Sequence, residues 1–344
     1  MPQLSHPDSI WTLQRTGKGR QSLWIPYLQS VERVTPRGAK WRIVFNGGEV
    51  VRAAAEIDHL MLYGATGTLP VAFIDALAVA GVVLTLHRRG MAQPYVMLPS
   101  RTIDADDVLT QQITKRADTR RATLIARTLV RARLHGQESL IAVSATARQA
   151  LNRARNVTAV RTIEANHAQR YWAQYFENLG VSESRRSKGG DGVQEALDAL
   201  SVFLAGIILR WVLFHRLAPT HGFLHEPTTY PSLVYDLMEP FRVWIEDAVR
   251  EAYAAGARGD GLVKMAVERF KADLEATVYV PTMHVLVRRK ALLHGIVLSL
   301  RAYLVGDMPR FFIPFEGERN GGRPVKATFA LPGASVVAGS RKRR

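Results

Sequence analysis

His225 stands in the stretch His221-Gly222-Phe223-Leu224-His225-Glu226-Pro227, and the run Ser232 to Arg242 follows it. A histidine on a turn therefore comes shortly before an apolar helix that carries Asp236 and Glu239. Positions i and i+3 share a helix face, so the two carboxylates can face the histidine together. Imidazole and carboxylate ligands suit Mn²⁺ or Mg²⁺. A third acid, Glu164, lies upstream in Thr162-Ile163-Glu164-Ala165-Asn166-His167, within a helical pattern. In a chain this basic, the group implies metal-assisted chemistry on nucleic acid.

Each residue alone has a plainer reading. A helical glutamate is usually solvated, and a histidine is more often packed in a core than bound to a metal. Asp236 and Glu239 could be first-turn acids favoured by the helix dipole, with Ser232 as N-cap. The combination points to chemistry. His167 and His221 compete as ligands, but Pro219 and Gly222 argue against a helix there, leaving His221 a supporting or phosphate contact. Pro240 follows Glu239 and lacks an N–H, so a bend is expected there; a kink could re-aim the two acids, and a tolerated local bend is the simpler reading.

The balance of charge fits such a substrate. The chain has 344 residues, a net charge of +16 and a pI near 10.4, with 47% hydrophobic residues. An excess of this size favours polyanionic partners through counterion release. It is concentrated in residues 109–161, where Lys115, Arg116, Arg120, Arg121, Arg127, Arg131, Arg133, Arg148, Arg153, Arg155 and Arg161 face only Asp118 and Glu138. Arginines make bidentate phosphate contacts. Arg116, Arg120, Arg127, Arg131, Arg155 and Arg161, together with Arg242, are candidate nucleic-acid contacts. The absence of cysteine excludes disulfides, zinc ribbons and thiol nucleophiles. No P-loop or Gly-x-Ser-x-Gly elbow is present, so neither ATP use nor a serine hydrolase has support. The N-terminus has no signal-peptide pattern, and the most apolar stretch, Val202 to Leu209, falls short of a membrane span. A soluble, cytoplasmic protein is expected.

The elements that position these residues divide the chain. Residues 1–104 read as β-rich and sandwich-like. Trp41, Ile43 and Phe45 alternate with Arg42 and Val44, and Asn46-Gly47-Gly48 makes a hairpin turn. Strands are expected at 22–27, 59–63, 82–87 and 94–98, with a helix at 71–80 closed by Gly81. Residues 105–308 read as a larger, all-α domain with helices at 104–135, 138–151, 157–179, 193–215, 232–255, 260–275 and 282–305. Residues 182–192 read as a loop. Residues 309–344, ending Ser340-Arg341-Lys342-Arg343-Arg344, read as a basic, mobile tail. The fold class is α+β and multidomain.

Three motifs carry a family resemblance: Glu164 with Tyr171-Trp172, Gly222-Phe223-Leu224-His225, and Ser232-Leu233 through Asp236-Leu237-Met238-Glu239-Pro240-Phe241-Arg242. In this order and spacing they resemble the CRISPR adaptation integrase family (Cas one), over most of the chain to about residue 306. Leu217-Ala218-Pro219 stands where that family usually has Leu-Asp-Pro. The resemblance implies that Glu164, His225 and Glu239 bind one Mn²⁺ or Mg²⁺, with Asp236 in support. It further implies a metal-dependent endonuclease and integrase that joins the 3′-hydroxyl of spacer DNA to the CRISPR repeat by transesterification. It implies a homodimer through the β-rich domain, a small second adaptation protein (Cas two) bridging two dimers, and activity on branched DNA. A non-catalytic DNA-binding scaffold and a metal nuclease outside CRISPR systems are the competing readings.

Overall fold

The computed structural model describes residues 20–88, 91, 94–97, 107–181, 192–319, 322–325 and 329–336. The loop expected over 182–192, apart from Gly192, the start of the helix expected at Asp104 and the basic end Ser340–Arg344 lie outside them. The chain forms two compact units. One comprises Met1–Ser100, Thr277–Gly295 and Phe315–Arg344, and the other Arg101–Ala276 and Ile296–Pro314.

Alternation in the first unit produces the expected strands. They are β1 (Gln21–Pro26), β2 (Leu28–Arg33), β3 (Lys40–Phe45), β4 (Gly48–Ala53), β5 (Ile57–Tyr63), β6 (Val83–His87) and β7 (Tyr95–Met97), with helix α1 (Val71–Val79) before β6. One sheet has the order β1-β5-β6-β7 and the other β2-β3-β4. Leu23, Ile25, Ile57, Leu60 and Leu62 from the first meet Val31, Trp41 and Ile43 from the second, and Phe73 and Leu77 of α1 join the same core. Gly81 closes α1 at a φ of 70°, a conformation that side chains disfavour. Strand β2 was not expected. It is an edge strand that buries only Leu28 and Val31, so its sequence lacks strong alternation.

The second unit is helical: α2 (Val108–Ala117), α3 (Thr119–Gly136), α4 (Ala145–Arg153), α5 (Val157–Leu179), α6 (Val193–Phe214), α7 (Ser232–Met238), α8 (Arg242–Ala254) and α9 (Gly259–Glu275). Three expectations need correcting. The single helix expected over 104–135 is two, because Asp118 leaves helical geometry (ψ 102°) and its carboxylate caps the N–H groups of Arg120 and Arg121. The helix expected over 232–255 is interrupted, at the Pro240 where a bend is expected, by a 3₁₀ turn, Glu239–Phe241, and so is two helices. The helix expected over 282–305 begins only at Lys290. Before it, β-branched residues form β8 (Thr277–Val280) and β9 (Val285–Arg288), turning at His284 with φ 55°.

Helix α10 (Lys290–Val305) follows, and β10 (Ser335–Val336) pairs with β9. Within the segment 309–336, Phe311, Ile313, Phe329 and Leu331 are buried.

Helix α6 packs against α7, α8 and α9. It has 22 residues and an 18-residue window of mean hydropathy 2.0, long and apolar enough to cross a membrane, contrary to the sequence expectation. However, 67% of its apolar window is buried against the protein's own helices, including Leu200, Phe203, Leu204 and Ile208. Its apolarity is accounted for by core packing.

Candidate active site

The site is built around a buried carboxylate. Asp236, on α7, is inaccessible to solvent and holds the preceding loop by its side chain. It accepts the backbone N–H groups of Phe223, Leu224 (2.8 Å) and His225 (3.0 Å). It also lies 2.7 Å from Nδ1 of His225. An ionised carboxylate only accepts, so Nδ1 carries the proton and donates. In the neutral ring, Nε2 then holds the lone pair. Burial pulls the His225 pKa down, but the Asp236 hydrogen bond and the charges of Asp236 and Glu239 pull it up more, and the net shift is upward.

Other contacts fix the same loop. Gly222 donates its N–H to Ser232 Oγ (3.0 Å), and that hydroxyl donates to Thr220 O (3.0 Å). Ser232 is thus the first residue of α7 and makes no capping bond, unlike the expected N-cap. A Cβ on Gly222 would come within 2.7 Å of His225 O and 2.8 Å of Asp236 Oδ2, so the tight loop needs glycine. From α2, the buried Gln112 donates to the carbonyls of Ala218 (3.0 Å) and His221 (2.8 Å) and accepts from Ala218 N (2.8 Å). One turn on, Arg116 donates to the carbonyls of Gly222 and Glu226, both at 2.7 Å. His221 contributes its carbonyl, and its Nδ1 lies 3.1 Å from Thr220 Oγ1.

The other two candidate acids meet through an arginine. Nη1 of Arg133, on α3, donates to Glu164 Oε1 at 2.6 Å and to Glu239 Oε2. Glu239 also lies 3.1 Å from Arg242 Nε. Arg133 is buried. Burial alone would lower its pKa, but Glu239, Glu164 and Glu246 raise it, so it stays charged. Behind it, Tyr171 donates to Glu246 Oε2 (2.6 Å) and Tyr175 to the Glu246 carbonyl (2.8 Å). Burial raises the Glu246 pKa despite that hydrogen bond and the nearby arginines. His167 is buried with neither ring nitrogen hydrogen-bonded among the described residues, and burial lowers its pKa.

The structure thus pairs His225 with Asp236 and joins Glu164 to Glu239. Among the described residues, no group of three or more His, Asp or Glu side chains is arranged to hold a metal ion. The donor types still suit Mn²⁺ or Mg²⁺: two carboxylates and an imidazole whose Nε2 holds a lone pair. The Arg133 guanidinium shows that Glu164 and Glu239 converge on one positive charge.

The basic stretch does not act as one surface. Arg116 clamps the histidine loop, Arg127 donates to Asn152 O (2.7 Å) and Arg131 to Asn152 Oδ1 (2.8 Å). Arg161 pairs with Glu226 at 3.4 Å, and Arg242 with Glu239. Arg120 and Arg155 are exposed and form no ion pair among the described residues. Gln112 and Glu246 escaped the sequence reading, and Arg133 figured in it only as one cation of the basic run. Gln112 and Arg133 act on residues 106 positions away, and nothing local marks them.

A family model described as CRISPR associated protein Cas1 matches residues 32–256. A CRISPR-associated endonuclease Cas1 of Pyrococcus horikoshii is 28% identical over 177 residues, 45% of this chain and 55% of that protein. One from Francisella tularensis subsp. novicida is 27% identical over 181 residues, 50% of this chain and 53% of that protein. The chain therefore spans about half the length of the curated relatives it matches. Among solved structures, a casposase bound to integration product has a TM-score of 0.72 at 19% identity, covering 88% of this chain and 96% of its own. A Cas1 protein from Thermotoga maritima has a TM-score of 0.69 at 16% identity, covering 86% and 100%. A Cas6-RT-Cas1–Cas2 complex has a TM-score of 0.68 at 11% identity, covering 87% of this chain and 36% of the matched one.

Proposed function

The chain belongs to the CRISPR-associated Cas1 family, and from that premise we propose that it is a divalent-metal-dependent DNA endonuclease and integrase of CRISPR adaptation. The reaction is attack of a spacer 3′-hydroxyl on a repeat phosphodiester, which forms a new P–O ester bond as the repeat's own P–O3′ bond breaks and its 3′-hydroxyl leaves, with cleavage of branched DNA as the reverse. The observation that carries this reading is the hold of Asp236 on His225, with Oδ1 at 2.7 Å from Nδ1. Asp236 holds the histidine so that Nε2 offers a lone pair, close enough to Glu239 for its charge to bear on the ring. Glu164, His225 and Glu239 would hold one Mn²⁺ or Mg²⁺, and Asp236 positions the histidine rather than binding the ion. When bound, the ion polarises the scissile phosphate and offsets the charge that develops on it. The chain's own residues orient the histidine, keep the carboxylates together and meet the DNA backbone through exposed cations such as Arg120 and Arg155.

Related structures support the proposed partners. One neighbour is described as a Cas1–DNA complex and another as a complex with Cas2. For this chain we propose DNA, a homodimer formed through the β-rich unit, and a small Cas2-like protein bridging two dimers, all in the cytoplasm.

The test is strand transfer and cleavage on labelled branched DNA with Mn²⁺, Mg²⁺ or EDTA, comparing wild type with Glu164→Ala, His225→Ala and Glu239→Ala. Metal-dependent product that is lost in the variants supports the proposal. A second reading draws on the Arg133 contacts to Glu164 and Glu239: the chain is a DNA-binding scaffold whose acids serve Arg133. It calls for tight DNA binding without product in any metal.

A further inference from the structure

Two carboxylates assigned to a metal site already have cationic partners supplied by the protein. Glu164 and Glu239 share one nitrogen of Arg133, and Glu239 also pairs with Arg242. Each of the two acids therefore has a guanidinium partner before any metal arrives. Arg133 is only 6% exposed and points at the acids, so it is poorly placed to contact a DNA phosphate. Its contacts occupy oxygens that a divalent ion would use. Oppositely charged groups this close in a low-dielectric setting interact strongly.

We propose that Arg133 is an internal counter-cation for the catalytic acids, which keeps metal affinity low in the free protein and couples metal binding to the arrival of DNA. This rests on the assignment of Glu164 and Glu239 as metal ligands. An incoming ion adds two positive charges beside these guanidiniums and competes with the Arg133 contacts. A DNA phosphate brings the negative charge that offsets this excess. Metal and DNA then bind with positive coupling, which linkage requires to be reciprocal. Arg133 is a positioning residue: it acts through Glu164 and Glu239.

The experiment measures Mn²⁺ binding to the full chain by electron paramagnetic resonance of the free ion, with and without branched DNA. The variant is Arg133→Gln, which removes the charge and keeps a donor. Wild type should bind Mn²⁺ weakly alone and at least roughly tenfold more tightly with DNA. Arg133→Gln should bind Mn²⁺ roughly tenfold more tightly than wild type without DNA, with a smaller gain from DNA. Should the variant be unstable, Mn²⁺ should raise its melting temperature more than that of wild type, since a ligand stabilises the state it binds.

Weaker Mn²⁺ binding by Arg133→Gln would overturn the proposal and make Arg133 a scaffold for the ligands. Equal affinity in both proteins would overturn it too, as would wild-type affinity indifferent to DNA. Mn²⁺ bound by neither protein under any condition would remove the metal-site reading itself, which separates the two failures.

Discussion

Replacing Asp236 with asparagine tests the site at its most constrained point. The side chain keeps its size, so packing around α7 is preserved. The buried carboxylate accepts three backbone N–H groups and the His225 ring. Asparagine has one oxygen to offer, and its NH₂ then faces donors. A hydrogen bond to a charged group contributes about 1.5–3 kcal/mol, and a buried donor left unpaired costs about 1–3 kcal/mol. The expected loss of stability is about 2–4 kcal/mol, a large fraction of a typical total of about 5–15 kcal/mol.

The chemical effect is separate. With NH₂ opposite Nδ1, the ring proton moves to Nε2 and the lone pair turns inward. Loss of a partner that orients a ligating histidine lowers metal affinity by roughly 10–100-fold. Urea unfolding gives the stability change. Mn²⁺ binding and strand transfer, both measured with DNA present, give the chemical one. A folded Asp236→Asn protein with wild-type Mn²⁺ affinity and product yield would refute the tautomer argument.

Arg116→Ala should reduce strand transfer while leaving the salt dependence of DNA binding unchanged, because the guanidinium serves Gly222 and Glu226; a salt slope lower by about 1 would return it to the phosphate contacts. Arg120→Ala with Arg155→Ala should lower DNA affinity uniformly across sequences and reduce the slope by about 2, read by filter binding over a salt series. Gly222→Ala should cost about 1–3 kcal/mol in urea unfolding, since a Cβ there meets His225 O at 2.7 Å.

His215 supplies the pH test. Burial first, then Arg301, holds its pKa down to about 3, against 6.5 when free. The unfolded chain therefore takes up a proton between these values that the folded chain refuses. The stability is fully present above pH 6.5 and is lost as pH falls toward about 3. At about pH 5 wild type should have lost about 2 kcal/mol relative to His215→Phe, compared with neutral pH. Parallel pH profiles for the two proteins would disprove this.

Local regularity made the fold legible where it was strong. The Trp41–Ile43–Phe45 alternation gave a strand, and the long apolar periodicity of 193–214 gave a helix. Interruptions were harder to read. Asp118 sits in a helical pattern, and its alternative role as a cap decides the break only in the folded chain. Pro240 did announce its bend, because a missing N–H acts whatever the surroundings. The strands Thr277–Val280 and Val285–Arg288 look much like the apolar helix after them; a turn at His284 separates the two readings. Helix α6 has the composition of a membrane span, and only its packing against neighbouring helices identifies it as core.

The same division runs through the site. His225, Asp236 and Glu239 lie within one short stretch, so their spacing could be reasoned about on a turn and a helix. What holds them is distant. Gln112 and Arg116 grip the histidine loop from α2, and Arg133 joins acids that lie 31 and 106 residues away. In the sequence, Arg133 is one of eleven cations in a basic run, and nothing there separates it from Arg120 or Arg155. Burial does. A guanidinium that points outward can neutralise a phosphate, whereas one enclosed between two carboxylates sets the charge that an incoming metal meets. The count of cations in residues 109–161 therefore overstates the DNA-facing surface, because part of that charge is spent inside the protein, on the loop and the acids that the chemistry depends on.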